Sequence, residues 1–112
     1  MHTPLSDETR HVIGARELAL LRPTAYVINC ARGGVVDAAA LADALRAGRI
    51  AGAGVDVFEP EPPVHPHPLY ALEGVIVTPH IAGLSDETNR RLSVAAAQQV
   101  LQVLADVRPP RL

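Results

Sequence analysis

The 112-residue sequence has no tryptophan, no lysine, one cysteine, one methionine and one phenylalanine. A single cysteine excludes an intrachain disulfide framework and a cysteine-based zinc cage. Aromatic residues make up 3% of the chain, which leaves no stacking platform for bases. All ten basic residues are arginines, scattered under a net charge of −2, so no nucleic-acid partner is expected. No apolar run approaches the ~18 residues of a membrane span, and no membrane partner is expected. Met1-His2-Thr3-Pro4 lacks the basic and apolar regions of a secretory leader. With one cysteine and no leader, a reduced cytoplasmic location is expected. Of the five histidines, His65 and His67 fall in a proline loop and no pair has i, i+4 spacing, so no metal site is expected.

What is present suits a packed α/β domain or part of one. Hydrophobic residues make up 48% of the chain and charged residues 20%, a balance that supports a core and argues against disorder. Ser6 offers a cap for a short helix near Asp7, with Gly14 breaking it, and Ala15 to Leu21 reads as a second short helix stopped by Pro23. Ala25 to Asn29 is a near-continuous apolar run, as expected of a parallel strand buried on both faces. Asp37 is placed to cap a helix over 38–47, whose Leu41 and Leu45 share one face, and Gly48 suits its C′ position. Ile50 to Val57 returns as a strand. Strand, helix and strand within about thirty residues make a βαβ unit with a right-handed crossover.

Five prolines between Glu59 and Pro68 exclude regular structure there. Gly74 to Thr78 is a third strand, also expected to be buried, and His80 to Gly83 is the loop after it. Ser85 caps a long final helix with Asp86 and Glu87 in its first turn, and Arg108-Pro109-Pro110 ends it. Leu92, Ala95, Ala96, Val100, Val103 and Leu104 form its apolar stripe. Gly52-Ala53-Gly54 is not a dinucleotide fingerprint. It lacks the third glycine, and it lies within a strand instead of opening a helix.

In an open parallel sheet, ligands bind at the carboxyl ends of the strands. There the chain presents Arg32, Asp56 with Glu61 beyond it, and His80, at three successive strand ends. Singly, each has an ordinary reading: an arginine paired with a helix end, a turn aspartate, a solvated glutamate, a loop histidine. Together they suit one chemistry. A guanidinium clamps a carboxylate and polarises the adjacent carbonyl. An imidazolium donates a proton to an oxygen whose carbon receives a hydride. A carboxylate beside the imidazole orients it. A nearby aspartate can accept from a cofactor amide.

In order, His2-Thr3-Pro4-Leu5-Ser6 with Thr9, Ile28 to Gly33 with Val36-Asp37, Gly52 to Pro62, His67-Pro68-Leu69 and Thr78 to Gly83 resemble the D-isomer-specific 2-hydroxyacid dehydrogenases almost end to end. The resemblance implies a partial Rossmann-like parallel sheet, the nicotinamide half, with a long C-terminal helix. Residues 1–112 would be the carboxyl-terminal part of an NAD(P)-binding domain, without the substrate domain and the Gly-x-Gly-x-x-Gly half. Arg32, Glu61 and His80 would be catalytic, His80 as proton donor and Glu61 as its partner. Glu59 also precedes a proline, but counting from Asp56 puts the family's glutamate at Glu61. Related formate dehydrogenases carry glutamine there, so Glu61 points to the hydroxyacid branch.

By the same resemblance, Cys30, Ala31, Arg32, Asp56, His80 and Gly83 would surround the nicotinamide of NAD or NADP, with Pro4 and Thr9 as further contacts. The substrate would be a small 2-keto or 2-hydroxy acid. In the family the final helix returns toward the substrate domain. Its stripe is therefore expected to be covered by a missing segment, a complementary chain or a second copy in a dimer or other homo-oligomer. The isolated chain is expected to be inactive. The alternative is a non-catalytic remnant or split-gene subunit that needs a complementary chain.

Overall fold

The computed structural model describes residues 1–107, so the helix stop expected at Arg108-Pro109-Pro110 lies outside the described residues. Three parallel strands, β1 (Tyr26–Asn29), β2 (Gly52–Val55) and β3 (Val75–Val77), form one sheet in sequence order. Tyr26 pairs with Gly52 and Asn29 with Val55, while Ala53 pairs with Val75 and Val55 with Val77. This register brings the three carboxyl ends to one edge. The chain divides into two compact units, Met1–Ala82 with the sheet and a second beginning at Gly83.

In the first unit, helices α1 (Ala15–Ala19) and α2 (Ala38–Arg46) precede β1 and β2. Asp37 caps α2 as its composition suggests: one carboxylate oxygen accepts from the amides of Ala39 and Ala40, both at 3.0 Å. Gly48 ends the segment in a left-handed conformation, φ +63°, where a side chain is disfavoured. Leu41, Ala42 and Ala44 are the buried face of α2. They pack in a core with Leu18, Val27, Ile50, Ala53, Val55 and Leu69. Burying a leucine such as Leu41 stabilises the unit by roughly 1.5–3 kcal/mol.

Three expectations fail, each for a local reason. No helix forms near Asp7. The Thr9 hydroxyl accepts from the Ser6 amide at 2.8 Å and donates to the Pro4 carbonyl at 2.7 Å, so residues 7–10 close as turns. The strands are not buried on both faces. β1 alternates exposed and buried residues, with Tyr26 68% and Ile28 49% exposed, and Ile76 of β3 is 72% exposed. An apolar run identifies a strand but not what covers its second face. The expected strand over 50–57 is regular only at Gly52–Val55, because Ile50 and Val57 turn into the core as the chain enters and leaves the sheet.

The second unit carries α3 (Asp86–Leu104), capped by the Ser85 hydroxyl, which accepts from the Thr88 amide at 3.1 Å. No residue of α3 is buried, and Leu92, Val100, Val103 and Leu104 of its stripe are exposed. No helix among the described residues is long and apolar enough to cross a membrane.

Candidate active site

The first strand end turns on a residue that sequence reasoning passed over. Asn29 is buried at the last position of β1. Its amide nitrogen donates to the Arg32 carbonyl at 3.0 Å, and its amide oxygen accepts from the Ala31 N–H at 3.1 Å. A buried amide satisfied on both sides fixes a turn. Here it fixes the turn of half-buried Cys30, buried Ala31 and exposed Arg32. Among the described residues the Arg32 guanidinium donates only to the Ala31 carbonyl, at 2.7 Å. Among the described residues no ion pair engages it. The signal was available: an asparagine closing an apolar strand must find partners or stay at the surface.

The first residue after Arg32 has to be a glycine, because backbone of the next loop fills the space a side chain would take. A Cβ on Gly33 would lie 2.1 Å from the Phe58 carbonyl carbon and 2.5 Å from the Glu59 nitrogen. One on Gly34 would lie 2.3 Å from a Glu59 carboxylate oxygen. The loop leaving β2 therefore rests directly on the loop leaving β1.

Asp56 directly follows β2 and is 3% exposed. One carboxylate oxygen accepts from the Thr78 hydroxyl and from the Ile81 N–H at 2.8 Å; the other accepts from the Ala82 N–H at 2.9 Å. The Asp56 carbonyl accepts from the His80 N–H at 2.8 Å. One aspartate thus holds the whole turn that presents His80, whose φ of +57° is the left-handed region. Such strain costs about 1–3 kcal/mol and persists only where neighbours fix it. Burial pushes the Asp56 carboxyl up, but the Thr78 hydroxyl, the Ala82 and Ile81 amides and the charge of His80 outweigh it, and the group lies below its ordinary value. A carboxylate offers about four acceptor positions, and the chain fills three of Asp56's.

Glu61 projects from the proline loop toward His80. Its Oε1 accepts from the Phe58 N–H at 2.9 Å, and its Oε2 lies 2.9 Å from His80 Nδ1. The two side chains are 39% and 47% exposed. The Phe58 amide and the His80 contact hold the Glu61 carboxyl below its usual range, against a smaller upward push from burial, and the charges of His80 and Arg32 act in the same downward direction. Glu59 does not reach His80; both of its oxygens lie 2.8 Å from one guanidinium nitrogen of Arg10. Behind the loop, the Phe58 ring meets His67 edge-on at 5.0 Å and Tyr70 at 5.8 Å. Burial, and secondarily the charge of His65, push the His67 imidazole pKa down.

Of the sequence-derived candidates, the structure gathers Arg32, Glu61 and His80 on one sheet edge and puts Asp56 beneath the His80 turn. Cys30 and Ala31 form the turn before Arg32. Gly83 falls in the second unit. Asn29, Thr78 and Arg10 were given no role from sequence. The arrangement offers a cation with no ion-pair partner among the described residues, an exposed imidazole and a carboxylate that holds one of its nitrogens.

Residues 1–82 match the family described as D-isomer specific 2-hydroxyacid dehydrogenase, NAD binding domain. The chain is 46% identical over all 112 residues to the glyoxylate reductase of Aeropyrum pernix, of which it covers 33%. It is also similar to a D-isomer specific 2-hydroxyacid dehydrogenase of Lactobacillus delbrueckii ssp. bulgaricus solved in an NAD-complexed form, with a TM-score of 0.87 and 34% identity. That likeness covers 96% of this chain and 37% of the other. A further such dehydrogenase, from Xanthobacter autotrophicus Py2 in complex with NADPH and MES, gives a TM-score of 0.81 and 42% identity over 96% of this chain and 43% of its own. The chain therefore spans about a third of the length of the curated relatives it matches.

Proposed function

The chain belongs to the NAD-binding domain family of the D-isomer-specific 2-hydroxyacid dehydrogenases, and on that premise we propose that it provides the nicotinamide-side catalytic groups for hydride exchange between NAD(P) and a small 2-keto or D-2-hydroxy acid. The observation that carries this reading is the 2.9 Å contact between His80 and Glu61 on the sheet edge that also presents Arg32. The residues present suit the nicotinamide end of the cofactor. Asp56 keeps one acceptor position for a carboxamide, and small Cys30 and Ala31 let a flat ring approach the strand end. When bound, the cofactor supplies or accepts the hydride.

The chain's own residues do the rest. Arg32 takes the substrate carboxylate through two parallel hydrogen bonds and so aims the neighbouring carbonyl. Protonated His80 donates to the carbonyl oxygen as its carbon is reduced; in the reverse direction the neutral ring takes the hydroxyl proton. Glu61, charged at neutral pH, holds the Nδ1 proton and leaves Nε2 to face the substrate. The groups that bind pyrophosphate and close over the substrate come from chain beyond these residues, in the same polypeptide or in a complementary one. The second reading is a non-catalytic remnant or split-gene subunit that needs a complementary chain.

The test is a chimera in which this chain replaces the corresponding residues of the Aeropyrum pernix glyoxylate reductase. Oxidation of NADH or NADPH that depends on glyoxylate is the expected result; a folded, cofactor-binding but inert chimera would establish the remnant reading. The isolated chain should bind reduced cofactor very weakly, and tight one-to-one binding would overturn the assignment of pyrophosphate binding to residues elsewhere.

A further inference from the structure

The contact between Arg10 and Glu59 joins residues far apart in sequence, and neither has a part in the chemistry above. Both side chains are nearly half exposed, 46% and 43%, and an exposed ion pair by itself contributes little. Its setting is unusual. The pair lies over Gly34, where a Cβ would meet Glu59 at 2.3 Å and Arg10 at 3.0 Å, so the two side chains occupy the space that a larger residue there would take. The backbone around Arg10 is stitched to the same loop: the His11 N–H donates to the Gly34 carbonyl at 2.8 Å, and the Asp37 N–H to the Ile13 carbonyl at 3.0 Å. Arg10 therefore reaches Glu59 from a fixed base. Glu59, in turn, adjoins Phe58, whose N–H holds Glu61 Oε1 while Oε2 meets His80.

We propose that Arg10 is a positioning residue: gripping Glu59 across Gly34, it pins the proline loop so that the Phe58 amide and His80 share the Glu61 carboxylate. This rests on the reading of Glu61 and His80 as the working pair, but it concerns their geometry and not hydride transfer. The charged groups around the two ends are Asp7 beside Arg10, and Arg32 and His80 beside Glu61. Arg10 is not among the charges that act on Glu61, so its influence travels through the loop.

The test uses the 112-residue chain itself, without cofactor. The Glu61 carboxyl is titrated through its side-chain carbon resonance, and exchange of the Phe58 amide is followed alongside. Arg10→Met should raise the Glu61 midpoint toward the ordinary glutamate value of about 4.3 and speed Phe58 exchange by ~10-fold, as expected when a charge-assisted hydrogen bond loosens. Glu59→Gln, a milder change that keeps the loop's shape, should move both readouts in the same direction by less. The charge-reversed pair Arg10→Glu with Glu59→Arg should recover part of both. If Arg10→Met and Glu59→Gln leave the Glu61 midpoint and Phe58 exchange as in the wild type, the pair is a surface ion pair only and the proposal falls. These readouts are independent of catalysis, so an inert chimera would count against the functional reading without touching this one.

Discussion

Asp56 and Glu61 leave the same strand, and the structure treats them in opposite ways. Asp56 is buried beneath the His80 turn and accepts from one hydroxyl and two backbone amides. Glu61 stands more than a third exposed, with one backbone donor and the imidazole. Both carboxyls lie below their ordinary values, yet the first holds the His80 turn from beneath and the second faces solvent beside an ionisable ring. A site of this kind puts its exposed, ionisable groups on the outside and fixes them from below.

The largest expected effect lies on the exposed side. In the active chimera, His80→Gln should lower kcat by about 10²–10⁴, the range for loss of a general acid, with KM changed only a few-fold. A variant losing KM instead would move His80 from proton donor to binding group. Arg32→Lys should damage kcat and KM together, with kcat/KM down ~10²-fold for a misaimed substrate, because an ammonium cannot reproduce the two-pronged contact. Kinetics like the wild type would remove Arg32 from the site.

On the buried side, Asp56→Asn should cost about 1–3 kcal/mol in denaturant unfolding at neutral pH, since an amide donor then faces the Ala82 or Ile81 N–H. The sign of the pH dependence follows from the depressed Asp56 carboxyl. Its stabilisation is complete above the unfolded value, near 3.8, and is lost as pH falls through the lower folded value. The gap between wild type and Asp56→Asn should therefore close in acid; a constant gap would show that the charge of Asp56 plays no part. The smallest effect belongs away from the site. Asp37→Ala removes the α2 cap and should cost about 1 kcal/mol with the Glu61 titration unchanged.

Much of this architecture can be read from the residues. The Asp37 cap, the Leu41–Leu45 spacing and Gly48 mark α2, and the apolar runs on either side supply the flanking parallel strands. Ser85 and its acidic neighbours mark α3. Counting strand ends brings Arg32, Glu61 and His80 to one edge, and the family resemblance chooses Glu61 over Glu59. Less visible is what an apolar side chain faces: Tyr26, Ile28 and Ile76 read as interior and are exposed, because hydropathy reports a preference and not a neighbour. Asp56 is ambiguous for a similar reason. A buried latch and a turn aspartate look alike until Thr78, Ile81 and Ala82 are brought back over it. Arg10 and Glu59 meet only through tertiary structure and carry no local signal. The glycines beneath them do carry one, since two adjacent glycines after a strand-end arginine suggest that something packs there.

The most direct measurement follows the hydride itself. The chimera is given reduced nicotinamide cofactor labelled with deuterium at the transferable C4 position together with glyoxylate, and the glycolate formed is analysed by mass. One deuterium on carbon 2 of the product is the expected result. Unlabelled glycolate, or none from a folded chimera that binds the cofactor, would contradict hydride exchange at this sheet edge.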